Sequence, residues 1–177
     1  MRGILVFAAV VSAALIMEGG CAFGPTRFKG VMSYRSGRVY LRHDRYYRVG
    51  KLPKGWRRMK TGARAISFYN RDLKSSISTD AFCGASVGDR PLDSLGGEVI
   101  SALEERTVVE EVPFTLDGRG ALRQRAEGTL DGVPVVLDLV VIKKSGCVFD
   151  MYAIMPPEFV DQVAGSFERF FQSFHYE

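Results

Sequence analysis

The sequence predicts one α+β domain, an antiparallel β-sheet flanked by helices. A chain of 177 residues that is 46% hydrophobic and 25% charged has the size and composition of a single globular domain. Alternating apolar segments joined by short polar or glycine-containing turns indicate hairpin strands, and phenylalanines at helical spacing indicate a final helix. We expect a signal peptide over residues 1–20, a lipid-anchored tether over 21–37 and the domain itself over 38–177.

Residues 4–17 form an uncharged apolar run at the start of the chain. The run is shorter than the ~20 residues that span a bilayer and has the length of a signal-peptide core. Gly19, Gly20 and Cys21 then resemble the lipobox of bacterial lipoproteins, which implies an acylated Cys21. Simple secretion after cleavage behind Ala22 is one alternative, and an uncleaved anchor is another. Ala22 rather than Asp after the cysteine implies, by analogy with Gram-negative sorting, the periplasmic side of the outer membrane.

Export also bears on the two remaining cysteines, Cys83 and Cys147. An oxidising compartment favours a disulfide between them. The two cysteines are 64 residues apart, and a bridge that closes a loop of this length contributes roughly 4 kcal/mol on the chain-entropy model. Two separately buried thiols are the alternative. Two cysteines without CxxC spacing and two histidines make a poor zinc site, so we expect neither a metal nor a cofactor.

The first half of the domain shows short strand patterns followed by one helical pattern. Gly96 and Gly97 lie inside the helical pattern, where each costs about 1 kcal/mol relative to Ala. The predicted elements, in chain order, are short strands within 38–49, a turn at 51–55, strands at 64–69 and 75–81, a helix at 92–106 and a strand at 108–116.

Asp131 and Gly132 predict a two-residue type I′ turn between two long strands. This turn fixes the register, so paired residue numbers sum to 263. One face of the hairpin is apolar. On the other face, this register sets Arg125 directly opposite Asp138. The pair is worth at most about 1 kcal/mol if it faces solvent, and it is costly to break if a helix covers it. We interpret it as structural, with ligand binding by Arg123, Arg125 and Asp138 as the alternative. The apolar face carries Leu122, Ala126, Val133, Val135, Leu137, Leu139 and Val141.

A further strand over 147–155 ends at Pro156 and Pro157, which begin the last helix. The apolar stripe of that helix is wide enough to cover a sheet. Its members recur at steps of three and four: Phe159, Val163, Phe167, Phe170 and Phe174.

Four short motifs recur in this order of elements. They are Lys54, Gly55 and Trp56; 65–69; Thr129, Asp131, Gly132 and Val133; and Phe167, Phe170, Phe171, Ser173 and Phe174. With these motifs the order of elements resembles the PsbP-like α/β/α sandwich over roughly residues 46–174. That family includes an extrinsic photosystem subunit and several bacterial lipoproteins. The resemblance implies a binding or assembly role without a transferable active site.

Charge is divided unequally along the chain. Residues 22–74 carry 15 Lys and Arg against 2 Asp and Glu, whereas 75–177 carry 8 against 17. Aromatics interleaved with these cations suit a nucleic-acid surface in the cytosol, but export makes anionic lipid, lipopolysaccharide phosphate or an acidic protein the expected partner. The alternative is that the cations pair with the acidic remainder of the domain. The candidate binding residues are Arg35, Arg38, Arg42, Arg45, Tyr46, Arg48, Trp56, Arg57 and Arg58.

Catalytic motifs are weak. His43 and Asp44 are sequence neighbours, which does not aim an imidazole at a nucleophile. The chain has no G-x-S-x-G elbow, and His175 lies close to the end of the sequence, where fraying is usual. We therefore expect a non-enzymatic protein. The alternative function is an envelope-acting hydrolase that uses His43 and a carboxylate.

Overall fold

A computed structural model describes residues 28–29, 31–41, 45–60, 65–84 and 89–177. Two helices flank two antiparallel sheets, and a short 3-10 turn precedes the second helix. The strands are β1 (Phe28–Lys29), β2 (Val31–Arg35), β3 (Arg38–Leu41), β4 (Tyr46–Arg48), β5 (Trp56–Met59), β6 (Ile66–Asn70), β7 (Ser75–Cys83), β8 (Glu104–Leu116), β9 (Arg119–Leu130), β10 (Val133–Lys144), β11 (Cys147–Met155) and β12 (His175–Tyr176); the helices are α1 (Leu92–Ile100) and α2 (Val160–Gln172).

The larger sheet runs in the order β5-β6-β7-β11-β10-β9-β8, with β1 added beside β7. The smaller sheet runs β12-β4-β3-β2. Helix α1 packs on β9 and β10, whereas α2 packs on β11. Because the two helices cover opposite faces of the larger sheet, the architecture is the predicted α+β sandwich.

Both faces of the larger sheet are buried at its centre. On β10, Val140 and Ile142 point to the side of α2, while Leu139 and Val141 point to the side of α1. Alternate residues of one strand thus enter two separate cores, as the two-residue period of a strand requires. Five residues of the predicted apolar face lie in the α1 core: Ala126, Val135, Leu137, Leu139 and Val141. Leu122 is buried outside that cluster, and Val133 is exposed.

The core on the α2 side also holds the smaller sheet. Four members of the predicted stripe are buried, namely Val163, Phe167, Phe170 and Phe174, whereas Phe159 lies in the preceding 3-10 turn and is partly buried. Phe170 and Phe174 contact rings of the two sheets. Tyr47 of β4 lies edge-on to Phe149 of β11, with ring centroids 5.0 Å apart. The smaller sheet is therefore fixed to the domain by aromatic packing on its inner face, and Arg35, Arg38 and Arg48 on its outer face are exposed.

The hairpin and the disulfide follow the sequence predictions. Asp131 and Gly132 have φ of 52° and 75°, the left-handed values of a type I′ turn. The register of β9 and β10 is the predicted one. Cys83 and Cys147 are bonded partners on the neighbouring strands β7 and β11.

Two boundaries differ from the prediction. The helix predicted over 92–106 ends at Ile100, because the following residues form β8 and pair with β9. A Cβ on Gly128 of β9 would lie 2.7 Å from the carbonyl oxygen of Glu104, so this glycine lets the two strands meet. The predicted tether over 21–37 contains β1 and β2, so the folded domain begins before residue 38.

The last residues are ordered by pairing, contrary to the expectation of fraying at His175. Strand β12 pairs with β4, and its residues are held by Asp117 in the β8–β9 turn. The Asp117 carboxylate accepts hydrogen bonds from the backbone N–H of Tyr176 at 3.0 Å and from Lys144, and contacts His175 Nδ1 at 2.8 Å. Desolvation alone would raise the pKa of Asp117, but these contacts hold it below its ordinary value.

Candidate functional site

The outer face of the smaller sheet aligns three arginines side by side. Arg35 on β2 pairs with Arg38 on β3, and Arg38 pairs in turn with Arg48 on β4. All three are exposed, whereas Val39 and Tyr47, next to them on the same strands, are buried in the core. Since residues directly opposite each other share a face, the three guanidinium groups lie on one surface. We call these three residues the arginine row.

The ring of Tyr46 contacts two members of the arginine row. The guanidinium carbons of Arg38 and Arg48 lie 5.1 Å and 6.0 Å from its centroid, within cation–π distance. The ring of Tyr40 is 5.7 Å away, measured between centroids. The aromatic surface therefore holds two of the arginines close together.

Glu177 is the carboxylate that reaches the arginine row from within the described part of the chain. Its Oε1 lies 2.6 Å from Arg48 Nη2, and the Tyr46 hydroxyl donates a hydrogen bond to its other oxygen. The hydrogen bond from Tyr46, followed by the attraction of Arg48, lowers the pKa of Glu177. The row thus already binds one anionic group, at the Arg48 end.

Next to the row, the surface is concave. A cleft of about 620 Å³ lies between the β2–β3 turn and the end of α2. We call it the basic cleft. The lining side chains that carry charge or a hydroxyl group are Arg35, Ser36, Arg38, Tyr40, Arg48, Lys51 and Ser173.

Two glycines let the walls of this cleft approach each other. Gly50 donates a backbone hydrogen bond of 2.9 Å to the Phe170 carbonyl, and a Cβ at position 50 would lie only 2.1 Å from the carbonyl oxygen of Arg169. Gly37 has φ of 89° and accepts a backbone hydrogen bond of 2.9 Å from Val49. The β2–β3 turn, the end of β4 and α2 are therefore fixed relative to one another.

The β5 members of the predicted binding stretch lie elsewhere. Trp56, Arg57 and Arg58 belong to an edge strand of the larger sheet, outside the basic cleft. Arg58 stacks over the ring of Tyr34, 5.6 Å from its centroid, and donates a 3.4 Å hydrogen bond to the Tyr34 carbonyl. Arg57 is exposed, and Arg45 is exposed just before β4.

Some of the residues that the sequence singled out fall outside the described ranges. They are Cys21, Arg42, His43 and Asp44. Within the described ranges, no group of His, Cys, Asp and Glu side chains has an arrangement that could hold a metal ion. Neither α1 nor α2, the helices of the described part, is long and apolar enough to cross a bilayer.

The predicted pair of Arg125 and Asp138 lies opposite in the structure and forms a larger network. Asp138 is buried, and its carboxylate accepts a bidentate pair of hydrogen bonds from Arg123 at 2.9 and 2.7 Å and one from Arg125 at 3.1 Å. Arg123 also contacts Glu168 of α2 at 3.1 Å, and Arg125 contacts Glu110 of β8 at 3.2 Å. The hydrogen bonds that Arg123 donates to Asp138 raise the pKa of Arg123.

A second cavity, of about 570 Å³, lies beside this network between β8 and α2. Its lining includes Val112, Phe114, Leu116, Arg123, Glu168 and Phe171. The guanidinium of Arg123 is bound by two carboxylates, so its charge is already balanced inside the fold. In the basic cleft, the carboxylate that pairs with a lining cation among the described residues is that of Glu177, at Arg48, so this cleft is the better anion site.

The sequence did not predict a binding role for three residues that line the basic cleft: Tyr40, Lys51 and Ser173. Lys51 was assigned to a turn and Ser173 to the last helix, and their meeting depends on how α2 packs on the smaller sheet. The pairing of Arg35 with Arg38 could have been predicted from the sequence. Ser36–Gly37 forms a two-residue hairpin turn, like Asp131–Gly132, and such a turn sets Arg35 opposite Arg38.

Solved structures resemble this arrangement of two sheets and two helices. The solution structure of cyanobacterial PsbP (CyanoP) from Synechocystis sp. PCC 6803 matches with a TM-score of 0.55 and 12% identity, over 88% of this chain and 98% of that chain. The fold is PsbP-like.

Two further structures share the PsbP-like fold. LpqN, described as involved in cell envelope biogenesis of Mycobacterium tuberculosis, matches with a TM-score of 0.53 and 15% identity, over 73% of this chain and 82% of that chain. A protein from Bacteroides thetaiotaomicron VPI-5482 matches with a TM-score of 0.54 and 15% identity, over 74% of this chain and 45% of that chain. Neither a sequence-family search nor a search of curated proteins finds a match.

Proposed function

We propose that the protein is an exported lipoprotein of the cell envelope that serves as a binding or assembly accessory, without catalysis. In this proposal Cys21 carries the lipid, and the chain faces the periplasm from the outer membrane. The apolar run over 4–17 and the Gly19–Gly20–Cys21 sequence support export and acylation. The disulfide between Cys83 and Cys147 suits an oxidising compartment.

The arginine row is the observation that carries the binding role. Three exposed guanidinium groups lie side by side on a surface that the core does not need, together with Tyr46. An anionic lipid surface or an acidic protein is the partner that this charge fits, since each Lys or Arg near an anionic membrane contributes about 1 kcal/mol within a Debye length. LpqN supports an envelope role by its own description.

The lipid anchor is tested by the Cys21→Ser variant in cells. Without acylation we expect the protein in the soluble periplasmic fraction, whereas the unaltered chain sediments with the outer membrane. A variant that stays in the membrane fraction with its N-terminal run intact would show that residues 4–17 are an uncleaved anchor.

The anionic partner surface is tested with the chain from residue 21 onward that carries Cys21→Ser, which keeps every described residue. We expect binding to phosphatidylglycerol vesicles at low salt that weakens steeply as salt rises. Charge reversal at Arg45 and Arg57, which are exposed outside the cleft, should weaken binding further. Absence of binding at low salt would refute a lipid partner.

A further inference from the structure

We propose that the basic cleft is a discrete binding site for a phosphorylated group that carries at least two negative charges. Arg35, Arg38, Arg48 and Lys51 would hold the phosphate oxygens. This inference rests on the proposed function and deepens it, because it assigns the recognition of the anionic partner to one cavity rather than to the whole basic stretch.

The first argument is that the arginine row is unfavourable on its own. Like charges directly opposite each other on neighbouring strands destabilise a sheet. Arg38 has a cation on both sides, Arg35 and Arg48. Among the described residues, the carboxylate of Glu177 forms an ion pair with Arg48 and exerts a weaker attraction on Arg38. Packing does not require these charges, since all three side chains are exposed. A bound polyanion would remove the repulsion.

The second argument is shape. A flat cationic sheet would suit any anionic surface, but the arginine row borders a cleft of about 620 Å³. This volume lies within the roughly 300–1,000 Å³ range of small-molecule sites and exceeds what one inorganic phosphate fills. The hydroxyl groups of Ser36 and Ser173 line the same cavity. The cleft therefore suits a diphosphate or a phosphate carried on a polar body of sugar size.

The third argument is the number and type of cations. The planar guanidinium groups of Arg35 and Arg38 can each donate two parallel hydrogen bonds to a phosphate, and Lys51 adds a point charge. One carboxylate would balance only one of these three charges. A phosphate monoester carries about −1.5 to −2 at pH 7, and a diphosphate carries more. The charge count therefore favours phosphate over a single carboxylate.

Glu177 provides an internal competitor for this ligand. Its carboxylate occupies the Arg48 end of the row, where a phosphate oxygen would otherwise bind. Glu177→Gln keeps the side-chain shape and removes the charge. Because exposed ion pairs are weak, we expect at most about a fivefold gain in affinity for a polyanion. Such a gain would not follow from a general loss of folding.

The test measures inorganic pyrophosphate binding by calorimetry, using the chain from residue 21 with Cys21→Ser. We expect Arg38→Gln and Lys51→Gln each to weaken binding about tenfold or more, since hydrogen bonds to charged groups contribute about 1.5–3 kcal/mol. Glu177→Gln should strengthen it. Arg71→Gln, an exposed arginine in the β6–β7 turn, is the matched control and should leave binding unchanged. Urea unfolding confirms that each variant is folded.

Vesicles then identify the source of the phosphate. If phosphatidic acid vesicles bind and pyrophosphate displaces the protein from them, the ligand is a lipid phosphomonoester; if pyrophosphate binds and these vesicles do not, it is a soluble phosphorylated compound. Equal pyrophosphate binding by Arg38→Gln and Arg71→Gln, or none by the unaltered cleft, overturns the site. If the phosphate site is overturned but the protein still shows salt-sensitive binding to phosphatidylglycerol vesicles, the proposed function holds and only the discrete site is refuted.

Discussion

Asp138→Asn should destabilise the domain by about 2–3 kcal/mol. Asp138 is 3% exposed in its side chain, and its carboxylate accepts three charge-assisted hydrogen bonds from Arg123 and Arg125. Breaking a buried ion pair on one side costs roughly 3–5 kcal/mol because the partner charge stays behind. The arginines are 20% and 26% exposed and keep Glu168 and Glu110, which reduces the expected loss.

Urea unfolding measures this loss, with the fluorescence of Trp56, the single tryptophan, as the signal. Glu110→Gln is the matched control, since it removes an exposed partner of Arg125 and should cost no more than about 1 kcal/mol. If Asp138→Asn costs no more than Glu110→Gln, the network contributes no more than a surface ion pair, and the argument from burial fails.

Three further changes test how the elements around the site are joined. Gly50→Ala should cost about 1–3 kcal/mol in urea unfolding, because its Cβ would meet the Arg169 carbonyl at 2.1 Å; a loss under about 0.5 kcal/mol would show that α2 is loosely docked. Asp117 has a lowered pKa, so its contribution is full above the ordinary value of 3.8 and is lost as pH falls below it; the stability difference from Asp117→Asn should shrink from pH 6 to about pH 2, and a constant difference would contradict this. Replacing Cys83 and Cys147 together by Ser should cost about 2–4 kcal/mol, measured against the oxidised chain, and no change would mean that the bridge does not constrain the unfolded state.

The strongest predictions from the sequence were those in which local chemistry fixes long-range geometry. Asp131 and Gly132 demand positive φ, and this alone set ten pairs of β9 and β10 in register, including Arg125 opposite Asp138. The burial of Asp138 was left open because it depends on which layer covers that face. Arg123 was recoverable in principle, since it lies two residues from Arg125 on the same face and is long enough to reach a diagonal neighbour.

The end of α1 was mispredicted because two patterns compete in one segment. Leu103 continues the helical spacing and is buried in the α1 core, yet the chain has already left the helix at Ile100. Pairing of Glu104 with Thr129 on the far end of β9 extends the sheet at the expense of the last helical turns. The apolar periodicity of one segment does not show whether that segment will pair with a distant strand, so the end of α1 could not be predicted from it.

The arginine row connects the stability of the smaller sheet to its proposed ligand. The inner face of that sheet is fixed by Tyr47 and its aromatic neighbours, so the fold would tolerate neutral residues in place of the outer arginines. With Arg35 directly opposite Arg38, the two guanidinium groups repel each other and destabilise the sheet, and a bound polyanion would remove this repulsion. Ligand binding and folding are then linked, because any anion that binds only the folded cleft stabilises it by RT ln(1 + [L]/Kd). On this argument Arg38→Gln separates the two effects: the variant should unfold no more easily than the unaltered chain in the absence of anions, and should lose the stabilisation that pyrophosphate gives.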